Sequence, residues 1–216
     1  FWAKPIGVEP LRAATRNVRA ERGGADSATR VRVIDVRDGQ LVTGGVILPL
    51  KRDGAGDPET DVERDVLKLV VVNRYRDAEP SVAFVRNVGL KRGAIASSVA
   101  HDSHNVVAVG VDDASLVRAI NAVIGLGGGL AVTESGESEP SVLPLEIAGL
   151  MTRLEGGEAA RRITLLDAKA RQLGSTLSSP LMTLSFLALL VIPELKLSDL
   201  GLFDGAAFQF TDVLLG

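Results

Sequence analysis

Apolar and charged positions alternate in the first segment of the chain that predicts regular structure. Between residues 29 and 36 the alternating pairs are Val31, Val33 and Val36 against Arg30, Arg32 and Asp35. This spacing predicts a half-buried strand. Asp38-Gly39 favours a hairpin turn, and residues 40–50 supply the return strand. We therefore expect one β-hairpin over residues 29–50, after a mixed and partly ordered lead-in at residues 1–28.

Beyond a turn-rich linker at residues 51–60, the pattern changes to short, continuous apolar runs. Such runs predict buried strands, at residues 67–73, 81–85, 94–100, 106–111, 130–133, 142–147 and 181–191. Two segments follow helical spacing instead: residues 112–124, capped by Asp112 or Asp113, and residues 158–173, ended by Gly174. Strands interleaved with two main helices predict an α/β or α+β fold with a mixed β-sheet over residues 61–216.

The composition narrows the classes of function. The 216 residues are 46% hydrophobic, carry a formal charge of -3 and include no cysteine. Disulfides, thiolate zinc sites and cysteine nucleophiles are therefore excluded. The charge gives no basic footprint for nucleic acid and no polybasic membrane patch, so we expect neither partner. Because the sequence starts at Phe1 and not at a methionine, we expect it to be part of a longer protein. The absence of cysteine fits a cytoplasmic location, which we also expect.

Both histidines of the chain lie in one polar segment, His101-Asp102-Ser103-His104-Asn105, between two predicted strands. Histidine titrates near neutral pH, so this segment can transfer protons or bind a metal or a substrate. The candidate catalytic residues are His101, Asp102 and His104. The candidate substrate-binding residues are Ser98, Ser103 and Asn105. The alternative is a polar turn whose side chains bond to the backbone.

Neither a metal site nor a nucleotide-binding loop is predicted from the sequence. A catalytic divalent metal generally needs three protein ligands, and the histidine segment supplies three only if it folds back on itself. We therefore expect no metal site in this chain. Gly127-Gly128-Gly129 follows a predicted helix and precedes a strand, which is the reverse of the order in nucleotide-binding loops. We expect this triplet to end the helix.

Four segments together resemble the adenine deaminase family, bacterial and archaeal enzymes of the amidohydrolase superfamily. They are Val88–Ser97, Ser98–Asn105, Leu143–Met151, and Pro180–Ala188 continuing into Val191–Lys196. Their order resembles the C-terminal domain of that family over about residues 61–205. The resemblance implies that residues 29–53 are a β-hairpin of the small β-sandwich beside the catalytic barrel. It also implies that residues 1–28 lead in from the barrel region and that residues 61–216 are the separate C-terminal domain.

The family converts adenine and water to hypoxanthine and ammonia, a step of adenine catabolism within purine metabolism. Its barrel holds a binuclear manganese or iron centre that activates a water, and a carboxylate shuttles the proton. This chain lacks the H-x-H pair of that barrel, so the resemblance places the metals outside it and implies that the chain alone is inactive. The implied partners are adenine, the barrel of the same protein and further copies in a homo-oligomer.

Within this resemblance the role of the histidine segment has two explanations. If it caps or supports the active site, it should face a cleft. If the domain only stabilises the barrel or its oligomer, the side chains should be buried and bonded to their own backbone. Activity on another purine or a cyclic amide also stays open, because Asn73-Arg74-Tyr75 stands where the family usually has Glu-Arg-His.

Overall fold

The fold is taken from a computed structural model that describes residues 2–18, 28–136 and 139–216. Within these residues the elements, in chain order, are α1 (Val8–Arg16), β1 (Arg30–Asp35), β2 (Gly44–Pro49), β3 (Leu67–Val72), β4 (Ser81–Arg86), β5 (Ala94–Ser97), β6 (Val106–Gly110), α2 (Asp113–Gly125), β7 (Gly129–Thr133), β8 (Ser141–Pro144), α3 (Gly156–Gln172), α4 (Pro180–Ser185), β9 (Leu195–Ser198), β10 (Gly201–Asp204), β11 (Gln209–Phe210) and β12 (Leu214–Leu215).

Nine strands form one mixed sheet in the order β12-β1-β4-β3-β6-β5-β7-β8, with β2 paired to β1. The predicted hairpin is confirmed, because β1 and β2 are antiparallel from Arg30 opposite Pro49 to Asp35 opposite Gly44. Strand β1 also runs parallel to β4, so the hairpin shares the sheet of the strands that follow it. The assignment of residues 29–53 to a β-sandwich and of residues 1–28 to a barrel region remains a prediction. Residues 1 and 19–27 of that lead-in lie outside the described residues.

Both faces of the sheet are covered, which explains the continuous apolar runs in the sequence. In β3, Leu67, Leu69 and Val71 belong to one core cluster, and Val70 and Val72 belong to the other. Helices α1 and α2 cover the second cluster, while α3, α4 and the β9–β10 hairpin cover the first. The predicted mixed sheet with two main helices is therefore confirmed, with α1 and α4 as shorter additions.

The predicted strand at residues 181–191 is wrong. The segment forms helix α4 and then consecutive turns, in which Leu187 N–H bonds to Leu184 C=O and Ile192 N–H to Leu189 C=O. Its buried residues recur at helical spacing, including Leu181, Leu184 and Ala188. Pro180 stands at the first helical position, where its missing N–H costs nothing. A continuous apolar run does not by itself separate a buried strand from a buried helix.

Two other segments differ from the prediction, one in its boundary and one in its secondary structure. The strand expected at residues 94–100 ends at Ser97, because the Ser97 hydroxyl accepts a hydrogen bond of 2.9 Å from Val99 N–H and turns the chain. In the lead-in, residues 8–16 form helix α1, whose Leu11 and Ala14 pack into the second core cluster.

Strand β9 carries a buried lysine. Lys196 is 0% exposed, and its ammonium donates one hydrogen bond of 2.7 Å to the main-chain carbonyl of Leu41 in the β1–β2 turn. Burial disfavours the charged form and lowers the pKa of Lys196 to about 8. This contact holds the tip of the hairpin on β9.

Candidate functional site

The polar segment at residues 101–105, hereafter the histidine loop, lies at one end of the large sheet. It joins β5 to β6, and β6 pairs antiparallel with both β5 and β3. The end of β3, the start of β7 and the end of β8 therefore lie at the same end of the sheet. Three further connections meet the histidine loop there, at residues 73–80, 126–128 and 145–151.

His101 is fixed against helix α4 through its backbone and ring. Its N–H donates to the Ser185 carbonyl at 2.9 Å, and its ring stacks on Phe186 with the ring centroids 4.9 Å apart. The ring of His104 meets that of His101 edge-on at 5.6 Å. The two candidate histidines are thus brought together, as their sequence spacing predicts.

Within the described residues, His104 forms hydrogen bonds through its backbone and none through its ring. Its N–H donates to the Ala100 carbonyl at 2.5 Å, and its φ of 53° lies in the left-handed region that few residues other than glycine adopt. Its Nδ1 atom is buried without a hydrogen-bond partner. Burial, and after it the nearby charges of His101 and Arg74, lowers the pKa of His104, so the neutral ring is favoured at pH 7. A proton on Nδ1 would be a buried N–H without an acceptor, so we expect it on Nε2.

Asp102 and Ser103 form the exposed tip of the histidine loop. Within the described residues, the side chains of His101, Asp102 and His104 make no hydrogen bond. The Ser103 hydroxyl makes only a long contact of 3.5 Å with Asn105 N–H. The tip therefore offers a carboxylate, a hydroxyl and two imidazoles to a partner outside the described chain.

Ser98 and Asn105 serve the fold instead. The buried Ser98 hydroxyl donates to the Gly149 carbonyl at 2.6 Å and accepts from Gly129 N–H at 2.8 Å. Asn105 is 2% exposed, and its Oδ1 accepts from Arg74 N–H at 3.2 Å. Both side chains bond to backbone groups far away in sequence. Their proposed contact with a substrate remains a prediction.

Sequence reasoning missed the turn that supports this loop. The Tyr75 hydroxyl donates to the Ser103 carbonyl at 2.7 Å, and its ring lies 5.0 Å from the guanidinium carbon of Arg74. Arg74 in turn donates to the Ala148 carbonyl at 2.8 Å. The sequence signal was the unusual Asn73-Arg74-Tyr75 string, but nothing in the sequence places it beside residue 103.

The glycine triplet ends helix α2, as its position in the sequence predicts. Gly127 N–H bonds to Ile124 C=O, Gly128 N–H to Val123 C=O, and Gly129 N–H to the Ser98 hydroxyl. None of these three N–H groups is left for a phosphate. A Cβ on Gly128 would lie 2.2 Å from the Gly149 Cα, so this close backbone approach requires glycine.

Several exposed apolar side chains lie on the segments that meet at this end of the sheet and on helix α4, which contacts His101. The backbone N–H of Trp2 bonds to Arg74 C=O at 2.7 Å, and Trp2 and Tyr75 line a groove of about 400 Å³ with Glu146 and Gly149. Together with the histidine loop, we refer to the following residues as the loop face: Trp2, Tyr75, Ile147, Met151 and Met182. Met182 is 59% exposed and lies one helical turn before Phe186.

The described parts of the chain contain neither a cluster of three metal-ligating side chains nor a helix that could span a membrane. Across residues 2–18, 28–136 and 139–216, no three His, Cys, Asp or Glu side chains gather in a way that can hold a metal ion. The longest described helix, α3, is amphipathic, and none of the described helices has the length and apolar character to cross a bilayer.

Comparison with known proteins identifies the family. The profile of the adenine deaminase C-terminal domain matches residues 40–209. Adenine deaminases from Methanosarcina mazei and Salinibacter ruber are 51% and 53% identical, over 96% and 95% of this chain and 36% of their own length. The enzyme from Archaeoglobus fulgidus is 45% identical over 98% of the chain and 35% of its length. The chain thus spans about a third of these relatives, and it belongs to the adenine deaminase family as its C-terminal domain.

Proposed function

We propose that this chain is the accessory domain of a longer adenine deaminase, with the histidine loop at the mouth of the catalytic barrel. The full-length protein would hydrolyse adenine to hypoxanthine and ammonia in the cytoplasm, as a homo-oligomer acting in purine metabolism. The observation that carries this proposal is the exposed loop tip in a chain of this family, where the Asp102 carboxylate makes no hydrogen bond with the described residues.

The metals belong to the other part of the protein in this proposal. The described residues do not fit a divalent metal, because no set of three ligands forms among them. A binuclear manganese or iron centre would therefore be held by residues of the barrel. The chemistry left to this chain is hydrogen bonding and charge at the rim of the site.

The loop tip suits a purine ring in its donors and acceptors. A neutral His104 with its proton on Nε2 can donate to a ring nitrogen of adenine. The exposed Asp102 carboxylate can accept from the exocyclic amine. The lowered pKa of His104 supports this role, because it keeps the ring neutral near pH 7. The hydroxyl of Ser103 adds a third group at the same tip.

The loop face would pack on the barrel. About two thirds of the length of the relatives lies outside their match to this chain. Clustered exposed apolar side chains mark a surface for another protein part.

A non-catalytic role is the second candidate. The buried bonds of Ser98 and Asn105 favour it, because those two side chains hold the sheet end together whether or not a substrate is present. In that case the loop face would stabilise the barrel or an oligomer without touching the substrate.

The test is a deamination assay on the full-length protein reconstituted with manganese, beside the 216-residue chain. We expect the full-length protein to turn over adenine and the chain alone to be silent. His104→Ala and Asp102→Asn in the full-length protein should each lower kcat at least tenfold, within the range of positioned polar groups at a catalytic site. Unfolding temperatures should stay within about 2 °C of the wild type.

The matched control is Glu63→Gln, an exposed carboxylate in the turn before β3, at the opposite end of the sheet. It should leave kcat unchanged. Wild-type kinetics in both loop variants would rule out the catalytic role and leave the stabilising one. If the full-length protein does not act on adenine but acts on another purine, the proposed substrate is wrong and the proposed site still stands.

A further inference from the structure

We propose that Tyr75 is a positioning residue of the histidine loop and fixes His104 through the backbone of Ser103. This inference rests on the proposed function for its catalytic meaning. The hydrogen bond from Tyr75 to Ser103, which we call the brace, is a property of the chain itself. The sequence alone does not connect Tyr75 with the histidine loop.

The 73–75 turn contacts the residues immediately before and after His104. On one side, the Tyr75 hydroxyl donates to the Ser103 carbonyl at 2.7 Å. On the other, Arg74 N–H donates to the Asn105 side-chain oxygen at 3.2 Å. The two residues that flank His104 are thus tied to a single turn, Ser103 by its carbonyl and Asn105 by its side chain.

Tyr75 is well placed although it is 55% exposed. Its ring lies against the Arg74 guanidinium, which is itself anchored on the Ala148 carbonyl. Its N–H donates to the Asn73 side chain at 2.8 Å, and Asn73 donates to Asp199 at 2.6 Å. The phenol therefore projects from a turn that is fixed at three points. This rigid attachment holds the hydroxyl at the Ser103 carbonyl.

His104 depends on such external support. Its ring forms no hydrogen bond within the described residues, and its backbone lies in the left-handed region. A non-glycine residue stays in that region only when its surroundings hold it there. The direction of the imidazole is accordingly set by the backbone at residues 103–105, and Tyr75 provides the contact to residue 103.

The first experiment compares Tyr75→Phe with the wild-type chain by NMR. We expect amide hydrogen exchange at residues 102–105 to accelerate about 3- to 10-fold, the factor that one net hydrogen bond is worth. The ring signals of His104 should shift and its titration midpoint should move, while the unfolding temperature changes by less than about 2 °C. Arg76→Ala is the matched control, because its side chain lies in the same segment and contacts Asp199 at 3.9 Å. It should leave the loop unchanged.

The second experiment measures adenine deamination by the full-length protein with the same substitutions. Tyr75→Phe should lower kcat several-fold with KM within twofold, and Arg76→Ala should change neither. Unchanged exchange and titration in Tyr75→Phe would overturn the brace. So would a fall of more than about 5 °C in unfolding temperature with faster exchange across the whole sheet, because Tyr75 would then be a general stabilising residue. A wild-type protein inactive on adenine would overturn the proposed function while the NMR comparison still decides the brace.

Discussion

At the scale of single residues, polar groups in this chain divide by what they bond. Ser98 and Asn105 reach backbone groups of distant segments, and removing either would leave a buried donor or acceptor unpaired. The side chains of His101, Asp102 and His104 form no hydrogen bond within the described residues. Lys196 stands between these cases, because one carbonyl satisfies a buried charge that normally requires a carboxylate.

Replacing Lys196 tests the energetic cost of that charge. Lys196→Met should raise the free energy of unfolding at pH 7 by about 1–2 kcal/mol. The shift of the pKa from 10.5 to about 8 corresponds to roughly 3 kcal/mol against folding, and the lost hydrogen bond offsets about 1 kcal/mol of that gain. Urea denaturation at pH 7 and pH 10 measures the difference between variant and wild type.

The sign of the pH dependence follows from the lowered pKa. Below pH 8 the folded chain must keep the buried ammonium, so the cost is complete. Between pH 8 and 10.5 the folded lysine is neutral while the unfolded one is still charged, and the cost declines. The advantage of Lys196→Met should therefore shrink towards pH 10. Lys51→Met, at a lysine exposed beside Glu59, should show no such trend. A destabilised Lys196→Met at pH 7 would contradict the prediction.

The sequence located the histidine loop but not its surroundings. The clustering of both histidines in five polar residues between apolar runs was visible without the structure. The contacts of Ser98 with Gly149 and of Tyr75 with Ser103 were not, because they join segments 51 and 28 residues apart. Pairing of that kind depends on the order of strands in the sheet, which hydrophobic periodicity does not determine.

At the scale of elements, local signals predicted best where a cap accompanied the pattern. Asp112 caps α2 by accepting from Ser115 N–H at 2.7 Å, and the predicted start of the helix is confirmed. Helix α4 was missed because it is only six residues long and is followed directly by the contiguous apolar residues 186–191. The end of α2 was also predicted, although the reason for three glycines appears only where the 145–151 connection crosses them.

Glycine at position 128 should be essential to that crossing. Gly128→Ala would place a methyl group 2.2 Å from the Gly149 Cα, at a residue whose φ is 126°. We expect a loss of at least about 3 kcal/mol in the free energy of unfolding, from overpacking and backbone strain together. Chemical denaturation of the chain measures it.

Gly125→Ala is the matched control for this substitution. Gly125 is the last residue of α2, and a Cβ there meets no atom within 4 Å. Alanine at this position should be neutral or stabilise the chain by up to about 1 kcal/mol, because it loses less conformational entropy on folding than glycine. Equal effects at positions 125 and 128 would contradict the proposed close approach.

At the scale of the whole molecule, the two ends of the sheet differ in character. One end carries the loop face, and the other carries the β1–β2 turn held by Lys196. The mixed fold was predictable because continuous apolar runs alternate with segments of helical spacing over residues 61–216. The single parallel pair, β1 with β4, was not predictable from those patterns.

A charge on the loop face should distinguish a buried interface from a free surface. Met182→Asp should leave the unfolding temperature of the 216-residue chain within about 2 °C, because Met182 is exposed there. In the full-length protein it should lower that temperature by at least about 4 °C, since an unpaired charge would be placed in the contact with the barrel. Differential scanning calorimetry of both forms measures the contrast.

Leu41→Asp provides the comparison at the other end of the sheet. Leu41 is 45% exposed at the tip of the hairpin, and its carbonyl, which binds Lys196, is kept in the variant. We expect little change in either form of the protein. Equal losses for Met182→Asp and Leu41→Asp in the full-length protein would show that the loop face is not the specific contact.

Strand β12 has a consequence for how this chain is made. It pairs with the first two residues of β1, and the Arg30 guanidinium also donates to the Gly216 carbonyl, 186 residues along the chain. During synthesis, β1 emerges from the ribosome long before this partner exists. Two of the six residues of β1 therefore lack a strand partner on that edge while residues 36–213 are synthesised, which exposes them to pairing with other nascent chains. The sheet is completed only after residues 214–215 have been synthesised, and a chain that lacked them would keep this part of β1 unpaired.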